Sequence, residues 1–351
     1  MIGSGCRWTV SSQSRVSQLC PGRRAGLLAL LLLAQTGELC PAEAAADARH
    51  VSAQDDAWSE LRQKDLRLAT YVYRLSVANA SLCSDRMPQT GLVLQSVDEF
   101  DPAIRADATR SFGFYAPISV EGVIAGSPAD IAGVKPNDGI LEINDHKVGE
   151  GETSSRPTIA KRDSANAFME ALPPVSPINL TLRDHEHGFV ARMQPVAGCR
   201  VRAELLMNDN ATALSDDQTI QIGAAFFDRL DDASLAVVLA HEMAHQVLKH
   251  GALMESKGVH RGFLGEFGKS SRLVRETEDQ ADRYSIHLLA NAGFDPEIGP
   301  KFWRGSVRAL DHGILRSATH SPSTERAANM EDEIRKLANR PAIDLHHDAA
   351  Q

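Results

Sequence analysis

The sequence predicts an α+β chain in two parts, one mainly helical and one small and β-rich. Two observations carry this. Residues 91–195 hold short β-type runs separated by turn residues, whereas residues 235–250 and 271–292 read as long helices, the first apolar on nearly every side. At 351 residues and 43% hydrophobic content, the chain is long enough for about two units that each bury a core. The formal net charge of −9 excludes the basic footprint of a DNA- or RNA-binding protein, so no nucleic-acid partner is expected.

The N-terminus reads as an address. Arg23 and Arg24 precede the apolar run 25–34, and the small-residue stretch 41–46 contains Ala42-Glu43-Ala44. A positive region, a short apolar run and an A-x-A-like site make a secretory signal peptide, here residues 1–44 with cleavage near Ala44. The run is too short for a bilayer span, which needs about 20 residues, so export is expected rather than a retained membrane anchor. Cys6, Cys20 and Cys40 leave with that segment. Cys83 and Cys199 remain, and in an oxidising compartment they are expected to form one disulfide, two buried free thiols being the alternative.

Residues 45–90 follow. From about Asp55, Trp58, Leu61, Leu68, Val72 and Leu75 fall at helical spacing, predicting an amphipathic helix that ends near Cys83 and lays its stripe on the C-terminal unit. Within 91–195, the runs 118–125, 139–143 and 178–182 are strand candidates. Ser127 caps a short helix with Pro128 at its first position and Gly133 closing it, and residues 135–139 and 144–146 have turn chemistry. The string GSPADIAGVKPNDGILEINDHKV, residues 126–148, resembles the second half of a PDZ domain. That resemblance implies a peptide groove between a strand and a helix, with Ser111-Phe112-Gly113-Phe114 as the expected carboxylate-binding loop. A structural spacer is the alternative.

Residues 196–340 carry the chemistry. The helix 235–250 has Asp231 or Asp232 as N-cap candidates and Gly251 beyond its end. It contains His241-Glu242-Met243-Ala244-His245, in which one turn separates two imidazoles on one face. Such a pair can bind a single Zn2+, and Glu242 beside it can serve as general base. His250 is rotated away from that face and is not expected as a ligand. The position ten residues after His241 is Gly251, not histidine, so the third ligand lies elsewhere. The second helix, 271–292, carries Glu278 and Asp282 four apart on one face. Glu278 completes a His2Glu set, Asp282 can accept the free ring N–H of a ligand histidine, and the small Ala281 lets the helices approach.

HEMAHQVLKH, ETEDQAD, the AGFDP turn and the pair Phe302-Trp303 resemble the HtpX/CAAX-prenyl-protease family of gluzincin zinc metallopeptidases, over about residues 200–335. Asn210-Ala211 ahead of 219–223 resembles the strand beside the family's cleft. His320 and Arg326 resemble its late His…Arg element, although Ser321 stands where proline is expected. The resemblance implies a zincin-type domain holding one Zn2+ and hydrolysing peptide bonds, with His320 or Arg326 stabilising an oxyanion or binding substrate. A structural His–Arg pair is the alternative for those two. The chain looks like the soluble, periplasmic branch, with polypeptide substrates such as unfolded or misassembled envelope proteins and room for peripheral membrane association. A non-hydrolytic chaperone or adaptor that binds exposed polypeptide termini is the competing reading. Residues 341–351 are expected to be a polar, frayed tail in which His346 and His347 are not ligands.

Overall fold

The computed structural model describes residues 41–206, 213–215, 219–259, 269–306 and 321–339. Residues 1–40 of the expected signal peptide, Asn210, Ala211, His320 and the tail lie outside these. The helical stripe expected from Asp55 belongs to a longer helix, α1 (Pro41–Ala78), whose Trp58, Leu61, Leu68, Val72 and Leu75 are buried. A single turn, Ala80–Leu82, leads to Cys83.

The chain then runs through β1 (Arg86–Gln89), β2 (Leu92–Ser96), α2 (Arg105–Phe112), β3 (Ile118–Val123), α3 (Pro128–Ile131), β4 (Gly139–Ile143), β5 (His146–Lys147), α4 (Ala160–Glu170), β6 (Ile178–Arg183), β7 (Gly188–Met193) and β8 (Val196–Cys199), of which β2 to β7 build one sheet and β1 and β8 a separate pair. Strand order is β2-β3-β4-β6-β7, antiparallel throughout, with β5 hairpinned onto β4. Asn144 and Asp145 both take positive φ there, as a two-residue hairpin turn requires. Alternation along β6 sends Ile178, Leu180 and Leu182 inward, where they meet Leu94, Val120, Ile140 and Met193 in one core. This strand-and-helix unit, over the residues expected to be PDZ-like, is the β-rich part of an α+β fold. β1 pairs with β8, closing the unit's start onto its end.

One expectation is corrected here. Residues 111–114 do not form an open carboxylate-binding loop. Ser111 and Phe112 end α2, and Phe112 is buried between Trp58 of α1 and Phe100, with Phe114 against both phenylalanines. Burying these rings against Trp58 places them in the core, not in the open loop that the PDZ resemblance implied.

The last segment forms β9 (Arg202–Leu206), β10 (Ala213–Ser215) and β11 (Thr219–Gly223), with β11 central, parallel to β9 and antiparallel to β10. Helices α5 (Ala224–Phe227), α6 (Asp232–Val247), α7 (His250–Ser256), α8 (Lys269–Asn291) and α9 (Ile298–Lys301) follow, then a π-helical turn (Phe302–Ser306) and α10 (Ser323–Asn339). Leu235, Val237, Leu239 and Met243 of α6 share one core with Leu68 and Leu75 of α1, Ile286 and Leu288 of α8 and Met330 of α10. Ala240, Ala244 and Ala281 are fully buried, so small side chains set the close approach of α6 and α8. The single helix expected over 235–250 is interrupted: α6 ends at Val247 and α7 starts at His250, with Lys249 between them in the left-handed region.

Candidate metal centre

Asp231 starts the ligand helix: its carboxylate accepts a hydrogen bond from the Ser234 N–H at 2.7 Å, capping α6. Three turns later His241 and His245 project from the same face. Their Nε2 atoms lie 3.2 Å apart. From α8, Glu278 brings Oε2 to 3.2 Å from His241 Nε2 and Oε1 to 3.5 Å from His245 Nε2. The three donor atoms all fall within 4.8 Å of one another, a group that could hold a metal ion. Glu242, next in sequence to His241, is half-buried.

Each imidazole is gripped on its far nitrogen. His241 Nδ1 lies 3.0 Å from Asp282 Oδ1. Asp282 is fully buried and accepts hydrogen bonds from Arg326 Nε at 2.5 Å and Nη2 at 2.6 Å. Arg326 is itself buried, with its guanidinium carbon 3.5 Å from the centre of the Trp303 ring. Burial opposes the charged Asp282, but Arg326 and His241 outweigh it and hold its pKa below the ordinary carboxylate value. Burial likewise disfavours a charged His241, but hydrogen bonds to Asp282 and Glu278 reverse that and raise its pKa to about 10. His245 is gripped by His250, Nδ1 to Nδ1 at 2.9 Å, and His250 Nε2 lies 3.2 Å from Gln280 Oε1. Burial, then the neighbouring His245, lowers the pKa of His250 to about 4, which leaves it neutral at neutral pH.

The structure therefore brings His241, His245, Glu278 and Asp282 together, with Arg326 against them: its Nη2 also lies 3.4 Å from His241 Nδ1 and 4.0 Å from Glu278 Oε2. It says nothing of His320, which lies outside the described residues. Cys83 and Cys199 are bonded, with Cα atoms 5.4 Å apart. Sequence reasoning missed His250, Gln280 and Trp303 as neighbours of the site. His250 was detectable only as a histidine five residues after His245, a spacing that points away from the site on an unbroken helix. A donor set of two imidazoles and a carboxylate, with both far nitrogens already hydrogen-bonded, fits zinc.

No protein-family model matches the chain. Part of it, 32%, is 27% identical over 136 aligned positions to the mitochondrial metalloendopeptidase OMA1 of Schizosaccharomyces pombe, spanning 40% of that protein. The metalloprotease YcaL of Escherichia coli is 27% identical over 149 positions, covering 36% of this chain and 58% of YcaL. The chain thus spans about half the length of these curated relatives. Among solved structures, the HtrA3 PDZ domain bound to a phage-derived ligand is similar over 32% of this chain and 88% of that one, at 17% identity and a TM-score of 0.24. The HtrA-type protease AlgW with a decapeptide is similar over 32% and 30%, at 20% identity and a TM-score of 0.25.

Proposed function

We propose that this chain is a zinc-dependent endopeptidase that cleaves unfolded or misassembled polypeptides in the cell envelope. The observation that carries the reading is the convergence of His241, His245 and Glu278 on one point, with Glu242 beside it. The likeness to two metalloproteases, weak and partial, supports the same reading. His241 Nε2, His245 Nε2 and a Glu278 carboxylate oxygen would hold the ion. Bound there, Zn2+ supplies Lewis acidity for the scissile carbonyl and lowers the pKa of water towards ~7.

The chain's own residues do the rest. The Glu242 carboxylate takes the proton of the attacking water and returns it to the leaving amine. Asp282 holds the His241 ring by Nδ1, and Arg326 keeps that carboxylate charged and oriented. The engagement of Arg326 with Asp282 favours this positioning role over contact with substrate. β2 is an edge strand of the PDZ-like sheet, and a sheet edge can add an extended chain as a further strand. That edge would offer a second hold on substrate.

Cleavage of an unfolded model protein by the zinc-loaded full chain tests the reading, with Glu242→Gln beside it. Chelator-sensitive cleavage that falls at least ~100-fold in the variant, while zinc stays bound, is the expected result. Equal cleavage by both proteins would remove Glu242 from the mechanism. No cleavage by zinc-loaded wild type would favour the chaperone or adaptor reading.

A further inference from the structure

A histidine binds a metal through a ring nitrogen that carries a lone pair, so its other nitrogen must carry the proton. For His241 the group receiving that proton is a carboxylate. For His245 it is another ring. Two neutral imidazoles that meet nitrogen to nitrogen have two possible arrangements, according to which donates. The His245–His250 contact joins Nδ1 to Nδ1 at 2.9 Å, so the arrangement decides which nitrogen of His245 is free. At the far side of His250, Nε2 faces Gln280 Oε1 at 3.2 Å, an oxygen that only accepts. Nε2 of His250 must then donate, Nδ1 of His250 keeps its lone pair, and His245 Nδ1–H donates to it. His245 Nε2 is left with its lone pair aimed at His241 Nε2 and Glu278.

We infer that His250 is a positioning residue of the metal centre, acting as the acceptor that fixes the tautomer and ring orientation of His245. The inference rests on the zinc reading of His241, His245 and Glu278. The backbone is arranged for it: α6 stops at Val247, and Lys249, at φ 55° and ψ 40°, turns the chain so that His250 starts α7 facing back onto His245. A non-glycine residue in the left-handed region is costly and persists where surrounding contacts demand it. His250 is 1% exposed and its contact is with the nitrogen of His245 that points away from Glu278, so it is no fourth ligand. Gln280 is exposed and His250 is buried against the site, so the decisive changes are at His250.

Zinc affinity of the full chain, measured by competition with a chromophoric chelator, tests this without reference to catalysis. His250→Asn can place an amide oxygen where Nδ1 stood, whereas His250→Phe keeps the ring shape without an acceptor. An acceptor role predicts that His250→Phe weakens zinc binding by roughly 10–100-fold and that His250→Asn stays much nearer to wild type. A packing role predicts the reverse order, and that order, or a His250→Phe affinity equal to wild type, would overturn the inference. If the variants fail to fold, long-range 1H–15N NMR of the zinc-loaded wild type decides the matter. A proton on His250 Nε2 and on His245 Nδ1 is expected; a proton on His250 Nδ1 would sink the proposal. Absence of zinc binding by wild type would remove the proposal together with the reading beneath it, whereas tight wild-type binding with indifferent His250 variants would remove the proposal alone.

Discussion

At the scale of single residues, His241 sets the pH behaviour of the centre. Its pKa is raised above the ordinary 6.5 to about 10, so the folded protein favours the charged ring. In zinc-stripped protein, the stabilisation from that charge is full below pH 6.5 and fades as pH rises through about 10. Zinc needs the neutral ring and therefore competes with a proton. Zinc affinity should rise with pH between these values, with the His241 proton released on binding in addition to any given up by metal-bound water. Calorimetry in buffers of different ionisation enthalpy reads that proton directly, and zinc uptake with no proton released would contradict the assignment of His241. Asp282→Asn tests the next layer. It removes a charge that Arg326 requires, and breaking a buried pair costs ~3–5 kcal/mol. A urea midpoint unchanged by that substitution would show the pair to be dispensable.

At the scale of elements, two helices carry the candidate ligands, and both helices were legible. The stripe in α1 and the i, i+4 pairs of α6 and α8 follow from the 3.6-residue period, which needs no tertiary information. The stop after Val247 was not legible, because no glycine or proline marks it and Lys249 alone takes the left-handed turn. Lys249→Gly should therefore be neutral or slightly stabilising, whereas Lys249→Val should cost ~1–2 kcal/mol, read from thermal or urea unfolding. Equal stability of the two variants would show that the turn carries no strain. Residues 111–114 were misread for a related reason. The loop was expected from the resemblance to a PDZ domain, and the burial of Phe112 depends on Trp58, far away in sequence, which the resemblance did not include. The bidentate grip of Arg326 on Asp282 is equally long-range, so the sequence offered Arg326 only through a family resemblance, as an oxyanion or substrate residue or half of a structural pair with His320.

At the scale of the whole molecule, α1 ties the parts together. Arg74 donates to the carbonyls of Ala292 and Gly293 at 2.6 and 3.0 Å, satisfying backbone acceptors just past the end of α8, and Arg67 pairs with Asp232 at the start of α6. The Cys83–Cys199 bond closes a separation of 116 residues between the end of α1 and β8. Removing it should cost ~2–5 kcal/mol, seen as a lowered urea midpoint under reducing conditions. A midpoint indifferent to reductant would deny the bond a role in stability. Buried Arg162 of α4 reaches Glu99 at 3.1 Å and Glu204 of β9 at 2.9 Å, joining the unit built on β2 to β7 to the segment that leads into the candidate metal centre. Among the described residues no helix is long and apolar enough to cross a membrane.

The most direct test of the central claim is the metal content of the purified full chain after saturation with zinc and desalting, for wild type, Glu242→Gln and Glu278→Gln. One tightly held zinc is expected in wild type and in Glu242→Gln, and its loss or strong weakening in Glu278→Gln. Zinc held as firmly by Glu278→Gln as by wild type would contradict the ligand set, and with it the mechanism built around His241, His245 and Glu278.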